Sequence, residues 1–99
     1  MANQEEIVIF GELDESNFAI VETVLKKRYS RVMSGQQGDN WIWVFYRGGK
    51  IEIDTFYSHK LEIRGARKQF GLVHEIINLI HPLCSIKVFD PPKVDETRN

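Results

Sequence analysis

The clearest pattern in the chain is a period of two between Asn40 and Arg64. Aromatic and aliphatic residues alternate from Trp41 to Phe45, and aliphatic and charged residues alternate from Ile51 to Asp54 and from Leu61 to Arg64. Because successive side chains of a strand point to opposite faces, these segments predict three strands. The short polar connections between them predict a three-stranded antiparallel meander.

The first turn of this meander contains the pair Gly48-Gly49, which suits the primed two-residue turns of β-hairpins. Pairing across that turn places Phe45 opposite Glu52, Trp43 opposite Asp54 and Trp41 opposite Phe56. A three-residue loop, Ser58-His59-Lys60, then keeps the third strand in phase and brings Arg64 beside Asp54. A slip of one residue at either turn would exchange the two faces of a strand.

The two predicted faces of the meander differ in chemistry. One is aliphatic, with Ile42, Val44, Ile53 and Ile63, and is expected to be the core. The other combines aromatic rings with carboxylates, and its members are Trp41, Trp43, Phe45, Glu52, Asp54, Phe56 and Glu62. Two exposed tryptophans in one patch are unusual for a monomer, so this face is expected either to bind a partner or to be covered by a loop, the tail or a second copy.

Helices and further strands are predicted on both sides of the meander. They are a strand at 7–10, a helix over about 15–29, a helix over about 66–80 and a final strand at 85–89. Residues 31–34 are a candidate for a further short strand, which the order β-α-β-β-β-α-β does not include. Asp14 offers an N-cap for the first helix. The second helix has a buried stripe of Phe70, Val73, Ile76, Ile77 and Ile80.

This order predicts an α+β fold, a two-layer sandwich in which two helices cover one face of a mostly antiparallel sheet of four to five strands. The order β-α-β-β-β-α-β is similar to a ferredoxin-like arrangement with an extra strand in the middle. We expect one domain over residues 1–92, ended by Asp90-Pro91-Pro92, and a flexible C-terminal tail over residues 93–99. The opposite face of the sheet is then left without a helix.

Composition narrows the classes of function. Thirteen Lys and Arg against fourteen Asp and Glu give a formal net charge of −1, so bulk charge does not attract nucleic acid or an anionic membrane. The single cysteine, Cys84, excludes an internal disulfide. The first residues lack the basic and long apolar segments of a signal peptide, and we expect a soluble cytoplasmic protein of bacterial type.

Motifs for catalysis, cofactors and metals are missing from the sequence. It contains no glycine-flanked nucleophilic serine, phosphate-binding glycine loop, dinucleotide fingerprint or His-Glu-x-x-His. His74 and His81 are seven residues apart, which separates them by two helical turns rather than the single turn that lets two ligands share a metal ion. We therefore predict no catalytic residues, no cofactor and no metal site, and interpret Cys84 as a small buried side chain.

Two basic clusters support an alternative in which the chain binds an anion or nucleic acid. Their members are Lys26, Lys27, Arg28 and Arg31 at the end of the first helix, and Arg64, Arg67 and Lys68 at the start of the second. Cations at a helix start oppose the helix dipole, and a bound anion would compensate for this. The competing interpretation is that Arg64 pairs with Asp54 while the other cations extend into solvent.

The sequence favours non-catalytic protein binding through the aromatic and acidic face. Aromatic residues are common hot spots, and the carboxylates would steer a partner with a basic surface. By analogy, we expect an antitoxin-like or immunity-type inhibitor of a basic or nucleic-acid-handling protein; self-association through the same face is also open. The alternatives are a small nucleic-acid-binding module using the basic clusters, and a small ligand-binding domain or enzyme with a pocket at the sheet edge.

Overall fold

The computed structural model describes residues 3–99, which form six strands and two α-helices. In chain order these are β1 (Ile7–Asp14), α1 (Phe18–Arg28), β2 (Val32–Gly35), β3 (Trp41–Tyr46), β4 (Gly49–Asp54), β5 (Lys60–Ala66), α2 (Phe70–Ile80) and β6 (Lys87–Val94). A short 3-10 turn precedes each helix, at Glu15–Asn17 and Arg67–Gln69. Asp14 caps the first turn as predicted, because its Oδ1 accepts a hydrogen bond from the backbone N–H of Ser16.

All strand pairs are antiparallel, and the order across the sheet is β2-β3-β4-β5-β1-β6. The strand β1 is internal, with β5 on one side and the edge strand β6 on the other. The α+β class is confirmed. The sheet has six strands rather than four or five because residues 32–35 pair with β3 and extend it at one edge.

Both helices cover the same face of the sheet and share one core with it. The core includes Val21 and Leu25 of α1, Ile76 and Ile80 of α2, and Ile42, Val44, Ile51, Ile53, Leu61 and Ile63 of the meander, all fully buried. The prediction that Phe70 belongs to the buried stripe of the second helix is wrong. It is the first residue of α2 and is 59% exposed. None of the helices that the structure describes is long and apolar enough to cross a membrane.

The β3–β4 hairpin has the predicted faces but a different turn. Arg47 and Gly48 occupy the two central positions, with φ of 50° and 78°, as a primed turn requires. Trp43 therefore lies opposite Glu52, and the predicted pairing of Trp43 with Asp54 is wrong by two residues. The glycine pair was misleading because an arginine, not a glycine, takes the first left-handed position.

The second connection of the meander differs from the prediction too, because it has five residues instead of three. Residues 55–59 separate β4 from β5, and the register places Glu52 opposite Arg64 and Asp54 opposite Glu62. This again displaces the pairing by two residues. Because side chains alternate with a period of two, every meander side chain that remains in a strand keeps its predicted face.

The C-terminal region differs from the predicted flexible tail. The strand β6 continues through Val94, so a boundary at residue 92 falls inside it. The last five residues, Asp95–Asn99, make hydrogen bonds to the sheet. The prolines did not end the strand because β6 is an edge strand, where residues without an N–H can be accommodated.

Candidate functional site on the helix-free face

An aromatic row, defined here as Trp41, Trp43 and Phe45, follows β3 on the face without helices. The ring centroids of Trp41 and Trp43 are 4.7 Å apart, and those of Trp43 and Phe45 are 6.5 Å apart with nearly perpendicular planes. All three side chains are partly exposed. The strand alternation produces this arrangement, since the intervening Ile42 and Val44 are fully buried on the helical side.

The row continues to the free edge of the sheet. Met33 of β2 lies opposite Trp43 and is 54% exposed. A Cβ atom added to Gly35 would lie 2.7 Å from the indole ring of Trp41, so this ring covers the backbone of the edge strand. Glycine at position 35 thus permits the close approach of Trp41 to the edge. The aromatic surface is therefore wider than β3 alone.

The side chains that flank the row carry positive charge. The Nζ of Lys50 lies 4.4 Å from the ring centroid of Trp43, and the guanidinium carbon of Arg31 lies 5.3 Å from that of Phe45. Both distances are within the range of a cation–π interaction. The predicted neighbour of Phe45 was Glu52, but Lys50 occupies that position in the observed register.

One polar atom in the row lacks a partner. The indole Nε1–H of Trp43 is buried and has no hydrogen-bond acceptor among residues 3–99. A buried donor without an acceptor costs about 1–3 kcal/mol.

The centre of the same face contains an arginine cluster, defined here as Arg64 with Asp54, Glu62 and Asp95. The Nη1 of Arg64 donates to Asp54 at 2.6 Å, Nη2 donates to Glu62 at 2.7 Å, and Nε donates to Asp95 at 3.0 Å. Arg64 and Asp54 are each 1% exposed, and Asp95 is 3% exposed. The cluster is therefore an internal charge network rather than a surface patch.

The C-terminal segment, Asp95–Asn99, closes this cluster. Besides the bond from Arg64 to Asp95, Arg98 donates to Glu52 at 2.6 Å, and the side-chain amide of Asn99 exchanges hydrogen bonds of 2.9 and 2.8 Å with the backbone of Ile7. The ring of Tyr57 lies 4.9 Å from the guanidinium carbon of Arg64. Sequence reasoning missed these partners, because they come from the assumed tail and from a loop.

The network shifts the ionisation of its members. Burial acts to raise the pKa values of Glu52 and Asp95, but the hydrogen bonds of Glu52 with Arg98 and of Asp95 with Thr97, together with nearby positive charge, lower both. The pKa of Asp54 is raised because its burial outweighs the contribution of Arg64. Hydrogen bonding with Asp54 raises the pKa of Arg64 although burial opposes this, so the guanidinium stays charged.

The predicted partner-binding residues are thus divided between two groups. Trp41, Trp43 and Phe45 form the row, whereas Glu52, Asp54 and Glu62 are bound to cations of the same chain. Phe56 belongs to neither group. It lies in the 55–59 loop, 43% exposed, and its predicted place opposite Trp41 is taken by Asp54.

The predicted anion-binding residues are mostly engaged in ion pairs. Arg64 is too deeply buried to contact a phosphate, which corrects its assignment to a basic surface. Salt bridges join Lys26 to Glu22, Arg28 to Glu75, Arg67 to Glu6 and Lys68 to Glu5, while Arg31 stacks on Phe45. Lys27 is exposed at the end of α1. The structure therefore offers little concentrated positive charge at either predicted cluster.

Metal-binding and reactive groups are equally sparse in the described part of the chain. Residues 3–99 contain no group of three or more His, Cys, Asp or Glu side chains placed to hold a metal ion. Cys84 is buried, and burial raises the pKa of its thiol. A raised thiol pKa disfavours the nucleophilic thiolate.

Comparisons of the chain with protein-family models, curated proteins and solved structures returned no match.

Proposed function

We propose that this chain is a non-catalytic protein-binding module whose contact surface is the aromatic row with the adjoining edge strand β2. The observation that carries the proposal is a contiguous row of partly exposed aromatic rings on a sheet face that no helix covers. Trp41, Trp43 and Phe45 are the residue types that contribute most to protein interfaces, because they bury large areas with few rotatable bonds.

The geometry of the edge supports the same surface. The N–H of Phe45 donates to the carbonyl of Arg31, so these two residues form a hydrogen-bonded pair. Hydrogen-bonded and non-hydrogen-bonded pairs alternate along antiparallel strands, and Val32 and Ser34 therefore direct their N–H and C=O groups away from β3. These backbone groups lie beside Met33 and Trp41. A partner segment that paired with this edge would place its own side chains against the row.

The charge distribution changes the kind of partner expected. Glu52, Asp54 and Glu62 were expected to attract a basic surface, but each is paired with a cation of this chain. The cations nearest the row are Lys50 and Arg31. We therefore propose a partner protein that presents apolar or aromatic side chains with an acidic rim. The inhibitor and immunity roles stay predictions of the sequence.

Site-specific photocrosslinking in cells of the native host tests this proposal. A photoreactive phenylalanine analogue at Met33 should crosslink to another protein, whereas the same analogue at Ile20, an exposed apolar position on α1, should not. Trp43→Ala in the Met33 probe should abolish the product. Identical products from both positions would contradict the proposed surface. A crosslinked dimer of the chain alone would make the partner a second copy.

Tryptophan fluorescence provides a test that requires no partner. Acrylamide should quench the isolated monomer, because Trp41 and Trp43 are the chain's two tryptophans and both are partly exposed. Protection equal to that of a buried indole would mean that the row is covered, and the proposal would fail.

A further inference from the structure

The edge strand β6 separates from β1 over part of its length. It pairs with β1 at Ile9↔Lys93 and at Gly11↔Val88. Between these two pairs β1 has one residue, Phe10, whereas β6 has four, at positions 89–92. The additional residues form an irregular arch at the sheet edge.

This arch leaves a pocket of about 270 Å³ between β6 and α2. Phe10, Val73 and Ile77 are its buried lining residues, and Phe70 and Val88 also line it. The lining is mostly apolar, as is typical of small-molecule sites. The pocket lies on the helical side of the sheet and does not include the aromatic row.

Two apolar lining residues are unusually exposed. Phe70 is 59% exposed and Val88 is 51% exposed. The Phe70 ring stacks on the imidazole of His74, with centroids 5.9 Å apart and an angle of 19° between the planes. A bound apolar molecule would remove part of this exposed apolar surface from water.

The pocket also contains two polar lining residues, His74 and Asp90. Both are exposed, and neither side chain makes a hydrogen bond or salt bridge within residues 3–99. The carboxylate of Asp90 favours a ligand that carries a positive charge or a hydrogen-bond donor. A pocket with apolar walls and one carboxylate thus suits a ligand in which an aromatic group is joined to an amine.

We propose that the α2–β6 pocket, lined by the residues just described, is a binding site for a small aromatic amine. An apolar cavity of about 150 Å³ accommodates benzene, so this pocket has room for one or two fused rings. The ring would contact Phe70 and Phe10, and the ammonium group would face Asp90. The site is independent of the partner-binding surface on the opposite side of the sheet.

An NMR titration of the full chain with three related probes tests the site. Tryptamine should shift the amides of Val73, Ile77 and Val88 saturably at millimolar concentrations or below. The amide of Ile20, which lies on α1 and does not line the pocket, should not move. Indole should bind more weakly because it lacks the ammonium group, and indole-3-acetate should bind most weakly because its carboxylate is repelled by Asp90. Absence of saturable shifts with tryptamine, or equal affinity for all three probes, would overturn the proposal.

Two variants test whether the ligand binds in this pocket. Phe70→Ala should weaken tryptamine binding by about tenfold through loss of an aromatic contact, and because Phe70 is exposed the fold should persist. Asp90→Asn should remove the preference for tryptamine over indole-3-acetate. Leu83→Ala, a control at an equally exposed residue outside the pocket, should change neither. Unchanged affinity in folded Phe70→Ala would show that the binding lies elsewhere.

Discussion

The helix-free face of the sheet is divided between two groups of side chains with opposite relations to solvent. The aromatic row is apolar yet partly exposed, whereas the arginine cluster is charged yet buried. In most proteins apolar side chains are buried and charged side chains are exposed. The C-terminal segment produces the difference, because it covers Arg64 and makes no hydrogen bond to the row among the described residues.

This comparison assigns different roles to the two groups. The cluster contributes to folding by joining β4, β5 and the C-terminal segment through one guanidinium. The row lies on the face without helices and leaves the buried indole N–H of Trp43 without an acceptor among residues 3–99. A contiguous, partly exposed apolar patch of this kind is a candidate for binding.

Loss of the guanidinium should have the largest effect on folding. Arg64→Met would leave Asp54 and Asp95 buried without their cation, and removal of one partner of a buried ion pair typically costs about 3–5 kcal/mol. Urea unfolding at neutral pH measures this change in the free energy of unfolding. Lys50→Met is the control, because Lys50 is partly exposed and its loss leaves Glu52 paired with Arg98, so the change should be about 1 kcal/mol or less. Equal losses in the two variants would remove the distinction between cluster and surface.

Truncation on the helical face should have the next largest effect. Val44 is fully buried against the helices, so Val44→Ala should lower the free energy of unfolding by about 1–3 kcal/mol through lost burial and a cavity. Phe45→Ala, one residue along the same strand on the other face, should cost less. Urea unfolding of both variants makes the comparison. A greater loss for Phe45→Ala would reverse the assignment of the faces.

Acidification should lower the free energy of unfolding gradually, by protonating carboxylates of the cluster and its neighbour Glu52. The pKa values of Glu52 and Asp95 lie below their ordinary values of 4.5 and 3.8, so their ionised forms stabilise the fold above these values and this stability is lost as the pH falls through the folded pKa values. Asp54 opposes the trend, because its pKa is raised and its ionisation costs stability as the pH rises.

Unfolding curves over an acidic pH series measure this dependence. In Asp95→Asn, the decline of the unfolding free energy with falling pH should be shallower than in the wild type, since one group with a lowered pKa is absent. Equal slopes in the two proteins would indicate that Asp95 does not contribute to the acid sensitivity.

The parts of the fold that depend on periodicity were predictable from the sequence. The faces of Trp43, Val44 and Ile53 follow from a period of two, and an error of two residues in register leaves them unchanged. The register itself depends on which residues adopt the left-handed conformation, and Arg47 is not a residue type that signals it. The class of the fold was therefore easier to predict than the strand partners.

The closure of the face could not be predicted, because it depends on contacts between distant segments. Asp95 lies 31 residues from Arg64 and Arg98 lies 46 residues from Glu52. A short charged segment after two prolines has the composition of a disordered tail. The one available signal was Arg64 itself. If its burial in the sheet had been assumed, the need to pair a buried charge would have called for carboxylates in addition to Asp54.

The affinity of Trp43→Ala for the partner identified by crosslinking tests the central claim most directly. Isothermal titration should show binding weakened by at least about 2 kcal/mol, or roughly thirtyfold, because hot-spot tryptophans contribute most of the energy of an interface. The free energy of unfolding should change by about 1 kcal/mol or less, since the ring lies outside the helix-covered core. Unchanged affinity in a folded Trp43→Ala variant would contradict the assignment of the aromatic row as the binding surface.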